Sequence, residues 1–180
     1  VTAPWAIPGD IPIGVSVTGI KPVRPNERGM STDRPERAVA CLDAGFSCAQ
    51  AICQVCGPEF GLSRDTASRI AAGLGAGMAR TDDICGAVSG AVLVLGLAYG
   101  GNLEDAVPAR ERTYAAVQKF IAAFTAAQGS VSCTGLLGYN LGDPDEFAAA
   151  RQAGIVRRVC PAMVRAASEL LEEMPGQPGE

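Results

Sequence analysis

The chain has 180 residues, of which 48% are hydrophobic and 19% charged, enough for one domain with a sizeable buried core. Its net charge of −4 argues against nucleic acid or an anionic membrane surface as partner, and an aromatic content of 5% leaves no base-stacking platform. Histidine is absent, which removes imidazole as metal ligand, general base or haem axial ligand and excludes Ser-His-Asp or Cys-His catalysis within this chain.

Residues 1–30 carry Pro4, Pro8, Pro12, Pro22 and Pro25, a density that forbids a helix. The stretch reads as an extended arm that lies along the body or reaches a neighbouring subunit, in keeping with a homodimer; a flexible leader is the plainer alternative. Val1 is followed by neither the basic start nor the apolar stretch of a signal peptide. The expectation is a soluble protein, either cytoplasmic or exported to the periplasm with its signal already removed. The longest apolar run, from Ala87 to Tyr99, is too short and too glycine-rich to span a bilayer.

From Ser31 the texture turns alanine-rich and helical. Asp33 offers a cap, Pro35 sits near the first helical position, and Gly57-Pro58 ends the helix. Gly45 bends that helix or splits off a short first piece. A second helix starts at Ser63 and dissolves into Gly73, Gly75 and Gly77. A third follows Thr81 or Asp82 as cap, and a fourth runs from Glu104 to Gln128. On that fourth helix Tyr114, Val117, Phe120, Ile121 and Phe124 mark an apolar face. Residues 129–142 form a loop or short helical turn. Asp143-Pro144 then opens another helix. The last helix places Val156, Val159, Cys160, Met163, Val164, Ala167, Leu170 and Leu171 on one side. Proline is costly inside a helix, so this one is expected to restart at Pro161 with Cys160 as its cap. No strand alternation follows residue 30. The result is an all-α bundle of about five helices: an arm at 1–30, a helical domain at 31–174 and a frayed tail at 175–180.

Seven cysteines beside one Trp, three Tyr and five Phe are the compositional anomaly. They are Cys41, Cys48, Cys53, Cys56, Cys85, Cys133 and Cys160, an odd number too widely spread for a small disulfide-stapled domain. Cys41 and Cys48, seven apart, share a helix face, with Cys56 somewhat round from Cys48. Cys53 and Cys56 form a C-x-x-C near a helix end, without the strand and helix start that a redox dithiol requires. Cys85 falls in the first turn of its helix, where the macrodipole favours a thiolate. Gly86 and Gly90 make a G-x-x-x-G that lets a second backbone or a bulky cofactor approach. Cys133 lies between Ser132 and Thr134, and Cys160 stands beside Arg157 and Arg158. Cys48, Cys85, Cys133 and Cys160 thus come from four separate segments. Four thiolates so placed make a Cys₄ metal or iron–sulfur site, or two redox-active pairs. The spacings match neither ferredoxin runs nor zinc knuckles. Asp82 and Asp83 adjoin Cys85, but adjacent carboxylates at a turn read as helix caps rather than acid–base catalysts.

These residues resemble the redox-active C_GCAxxG_C_C family, whose members carry four invariant cysteines in a small helical domain. Its C-G-A-x-x-G motif stands here as Cys85-Gly86-Ala87-Val88-Ser89-Gly90. "FSCAQAI" with Cys48 resembles the family's "NCAQ" segment, and "GSVSCTGLLG" with Cys133 and "VC" with Cys160 take the other two positions. The likeness spans roughly residues 35–173. It implies a redox role, often near oxidoreductases or transporters, with export in some members. The domain is also similar to the non-haem part of the split-Soret cytochrome c, which implies an iron–sulfur cluster, 2Fe–2S or 4Fe–4S, on Cys48, Cys85, Cys133 and Cys160 with Gly86 beside it. No haem is implied, since C-x-x-C-H sites are absent. Cys41 is then a spare ligand or resolving thiol. Three functions follow: electron transfer with a partner oxidoreductase or electron-transfer protein, thiol–disulfide or persulfide handling with Cys85 as attacking thiol, or a structural Cys₄ zinc module.

Overall fold

The computed structural model describes residues 34–101 and 106–174. The arm at 1–30, the cap Asp33, the fourth helix's start at Glu104 and the tail at 175–180 lie outside them. The described residues form helices and no strand. In order these are α1 (Arg34–Asp43), α2 (Cys48–Cys56), a 3₁₀ turn (Gly57–Phe60), α3 (Arg64–Ile70) and a second 3₁₀ turn (Ala72–Leu74). They continue as α4 (Gly75–Arg80), α5 (Gly86–Tyr99), α6 (Ala106–Gln128), α7 (Cys133–Leu137), α8 (Pro144–Gln152) and α9 (Ile155–Glu173).

The all-α expectation holds, with more and shorter pieces than five. Gly45 splits the first helix: its φ of +98° suits a residue without a Cβ, and the chain turns there between α1 and α2. Cys41 and Cys48 therefore sit on two helices and share no helix face. Ser63 caps α3 by accepting from the Thr66 amide, and Asp143 caps α8 by accepting from Asp145 and Glu146, as expected.

At the centre lies α2, whose residues from Cys48 to Cys56 are buried apart from half-buried Gln50. It packs against α5, where Gly90 is the reason for the close crossing. A Cβ there would stand 2.9 Å from the Ala49 carbonyl oxygen and 3.0 Å from its Cα. On the other side α1 and α9 run antiparallel, tied by Arg34 to Glu172 at 3.4 Å and by Arg165 to Glu36. The α6 helix closes the bundle with Phe120 and Phe124, their rings stacked at 5.9 Å. Tyr114 departs from the expected apolar face and is 56% exposed. It lies two residues from buried Ala116, near the opposite side of the helix.

Two further departures concern backbone. Pro161 does not restart a helix, since α9 runs unbroken through it. It stands in the second turn, and the carbonyl it deprives of a donor belongs to exposed Arg157, so the loss is small. The α4 segment is a left-handed turn: Ala76, Gly77, Met78, Ala79 and Arg80 have φ between +55° and +68°. Each non-glycine residue in that conformation costs roughly 1–2 kcal/mol.

Candidate functional site

Three of the four cysteines stand at helix starts. Cys48 is the first residue of α2, behind a capping box in which the Ser47 hydroxyl accepts from the Gln50 amide and the Gln50 side chain accepts from the Ser47 amide. The Gln50 side-chain amide in turn donates to Ser68 at 3.0 Å, which anchors the box to α3. Cys85 is the residue before α5 and Cys133 the first of α7. The expected caps of α5 do other work. Thr81 donates its hydroxyl to the Met78 carbonyl at 2.8 Å, and Asp82 accepts from Thr134.

Cys85 and Cys133 are held in register by an isolated antiparallel bridge, Ile84 to Ser132. The Cys85 amide donates to Val131 at 2.8 Å and the Cys133 amide to Asp83 at 3.0 Å. Both cysteines follow the bridged pair, so both side chains fall on the face opposite Ile84 and Ser132. Cys160 comes from the interior of α9, not from a helix start as expected.

The fold brings these four together. Cys48, Cys85, Cys133 and Cys160, with Gly86, line one cavity of about 150 Å³. Its remaining walls are apolar, chiefly Leu42, Phe46, Leu137, Leu141 and Met163. Each sulfur feels the other three electrostatically. The cysteines outside the motif are elsewhere. Cys41 does not line the cavity and receives an N–H from Arg64 at 3.8 Å. Cys53 and Cys56 are fully buried further along α2, and the Cys53 thiol donates to the Gly90 carbonyl at 3.5 Å.

Burial governs protonation. It pushes the Cys85 thiol up, against the Ala87 and Val88 amides at the helix start, which pull down. The expectation of a low Cys85 pKa therefore fails, because desolvation outweighs the helix terminus. Burial, then the neighbouring Cys85 and Cys160, push Cys133 up to about 12. The Cys48 S–H donates to the Cys160 sulfur, which raises Cys48 and lowers Cys160. As the side chains stand, no three Cys, Asp or Glu among the described residues converge to hold a single metal ion.

Three glycines around Cys85 stand where the cysteine-bearing segments approach closely. A Cβ at Gly75 would stand 2.5 Å from Ser47 Cβ, and one at Gly77 would stand 2.8 Å from Cys133 Cβ. One at Gly86 would stand 3.2 Å from the Ala49 amide nitrogen and the Gly75 Cα. Gly75 and Gly77 fall in the G-x-G pattern of "GLGAGM", and Gly86 in the C-G-A-x-x-G motif.

Helices that converge four cysteines on one apolar cavity define an all-α, cysteine-centred protein. The chain belongs to the family described as "Putative redox-active protein (C_GCAxxG_C_C)", whose pattern matches residues 46–174. That span holds all four motif cysteines and leaves out Cys41. No curated protein and no solved structure matches the chain. Among the described residues no helix is long and apolar enough to cross a membrane.

Proposed function

We propose that this protein binds an iron–sulfur cluster through Cys48, Cys85, Cys133 and Cys160 and passes electrons to or from a partner oxidoreductase. The observation that carries the reading is the single cavity lined by all four sulfurs. A single zinc ion requires its sulfurs about 2.3 Å from one point. Four thiols lining one cavity of about 150 Å³ leave room for a polynuclear group. When bound, such a cluster supplies one-electron transfer without proton chemistry. This chain's residues bind and orient it. The α2 and α5 helices aim their positive ends at the site, offsetting thiolate charge. Leu42, Phe46 and Met163 give the cavity apolar walls. Burial holds the protons on Cys48, Cys85 and Cys133, so loading must release them.

A second reading, thiol–disulfide or persulfide handling, draws support from the Cys48–Cys160 pair. Its attacking thiol is then Cys160, which the Cys48 S–H stabilises as thiolate, rather than Cys85. One anaerobic experiment separates the two. Protein reconstituted with ferric iron, sulfide and a thiol reductant is expected to turn brown, hold acid-labile sulfide and shield all four cysteines from alkylation. A colourless, iron-free product sinks the cluster reading. If Cys160 in that product also alkylates first, the thiol reading stands in its place.

A further inference from the structure

We propose that the left-handed turn from Ala76 to Arg80 is a positioning element of the cysteine site, and that Gly77 is the positioning residue that sets where Cys133 stands. Five consecutive residues with positive φ, four of them non-glycine, make the costliest stretch of backbone among the described residues. Strain of this kind persists only where its surroundings impose it, and it concentrates at functional sites.

The surroundings here are specific. The Gly77 carbonyl accepts from the Thr81 amide at 3.1 Å and the Asp83 amide at 3.2 Å. Arg80 is held from outside by its guanidinium over the Phe147 ring at 4.4 Å, and Gly142 leaves room for its carbonyl. The inner side of the turn faces the sulfurs. Ala76 lines the cavity, and Gly77 meets Cys133 and Asp83, whose carbonyl receives the Cys133 amide. Just before the turn, Gly75 lies between Ser47, which precedes Cys48, and Gly86, which follows Cys85. One backbone segment therefore touches the surroundings of three of the four cysteines. A right-handed turn would carry Gly77 away from Cys133, so the handedness is what delivers the contact. Met78 and Ala79, on the outer side, are exposed.

The inference deepens the cluster reading and rests on it for the second of its readouts; the first needs no cluster. In the full-length reduced protein, the alkylation rate of each cysteine is mapped by mass spectrometry for the parent chain, Gly77→Ala and Ala79→Gly. Gly77→Ala is expected to label Cys133 at least about tenfold faster, with Cys53 and Cys56 unchanged. Ala79→Gly removes a left-handed side chain that touches no cysteine, and is expected to melt higher with Cys133 labelling as in the parent. After anaerobic iron–sulfide loading, Gly77→Ala is expected to give an altered visible spectrum. Lower melting of Gly77→Ala with parental Cys133 labelling would overturn the proposal, leaving the glycine a packing residue only. Should Gly77→Ala not fold, hydrogen exchange in the parent decides. Amides 76–81 gain at least tenfold protection on loading, or the turn does not belong to the site. Failure to take up iron would count against the cluster reading, while Cys133 labelling in the unloaded chain would still test the turn.

Discussion

At Cys85 two effects of opposite sign meet, and their balance decides what the residue can do. A helix start lowers a thiol pKa, burial raises it, and burial wins because Cys85 is only 5% exposed. That Cys48, Cys85, Cys133 and Cys160 belong to one motif was legible in the sequence, since motif and segment separation are local facts. Their protonation was not, because desolvation depends on side chains from Leu42 to Met163 that only the fold assembles. The same physics makes a prediction at Cys53 and Cys56, which burial pushes up to about 12 and about 11. A thiol whose folded pKa lies above its unfolded value, about 8.5, stabilises the fold fully below the unfolded value. That stability is lost as pH rises toward the folded one, at about 1.4 kcal/mol for each pH unit crossed between the two. The urea midpoint of the reduced, unloaded protein is therefore expected to fall steadily from pH 8.5 to 11. In Cys53→Ala the fall should be visibly shallower. Parallel profiles for the two proteins would contradict the burial account.

At the scale of elements, the sequence patterns that worked were those in which one local effect dominates. Ser63 and Asp143 cap their helices because a side-chain oxygen beside free amides has no stronger competitor. The patterns that misled were those in which tertiary packing outvotes the local rule. Pro161 sits inside α9 because that helix is fixed by a buried stripe from Cys160 to Leu171. The left-handed turn had no readable signal beyond its glycines, since Ala76, Met78, Ala79 and Arg80 all prefer the right-handed form. The G-x-x-x-G pattern was open to two readings, cofactor space or helix packing. Gly90 belongs to packing and Gly86 serves both, lining the cavity while letting α2 approach. Two glycines of α5 consequently carry opposite predictions. Gly90→Ala must push α5 off the α2 backbone, because the obstructing atoms are the Ala49 carbonyl and Cα, and should destabilise by about 1–3 kcal/mol. Gly96→Ala meets nothing within 4 Å and should stabilise by up to about 1 kcal/mol through helix propensity. Chemical denaturation of both variants checks the signs. Equal effects would mean that α2 and α5 are not in the contact described.

Across the whole molecule, α2, α5 and α9 run in the same direction, from the cysteine cavity toward Arg34. Cys48, Gly86 and Cys160 line the cavity. At the far end Val94, Tyr99 and Leu171 gather near Arg34, which also bridges Glu59 at 3.1 Å. The polarity is consistent: the positive ends of α2 and α5 face the thiols, and a cation answers the C-terminal ends. A group bound at the cavity end would join α2, α5, α7 and α9 through one side chain each, so its binding energy is also folding energy. Anything that binds only the folded state stabilises it by about 1.4 kcal/mol for each tenfold excess over its dissociation constant. The iron–sulfide-loaded protein is therefore expected to melt several degrees above the unloaded one under anaerobic conditions, and an iron chelator should reverse the gain. Changing any one of Cys48, Cys85, Cys133 or Cys160 to Ser should abolish or sharply reduce that gain. Cys41→Ser should keep it, since Cys41 stands outside the cavity beside Arg64. Calorimetry of the five variants, loaded and unloaded, is the check. If Cys41→Ser lost the increment while one of the other four kept it in full, the ligand set would have to be redrawn around α1.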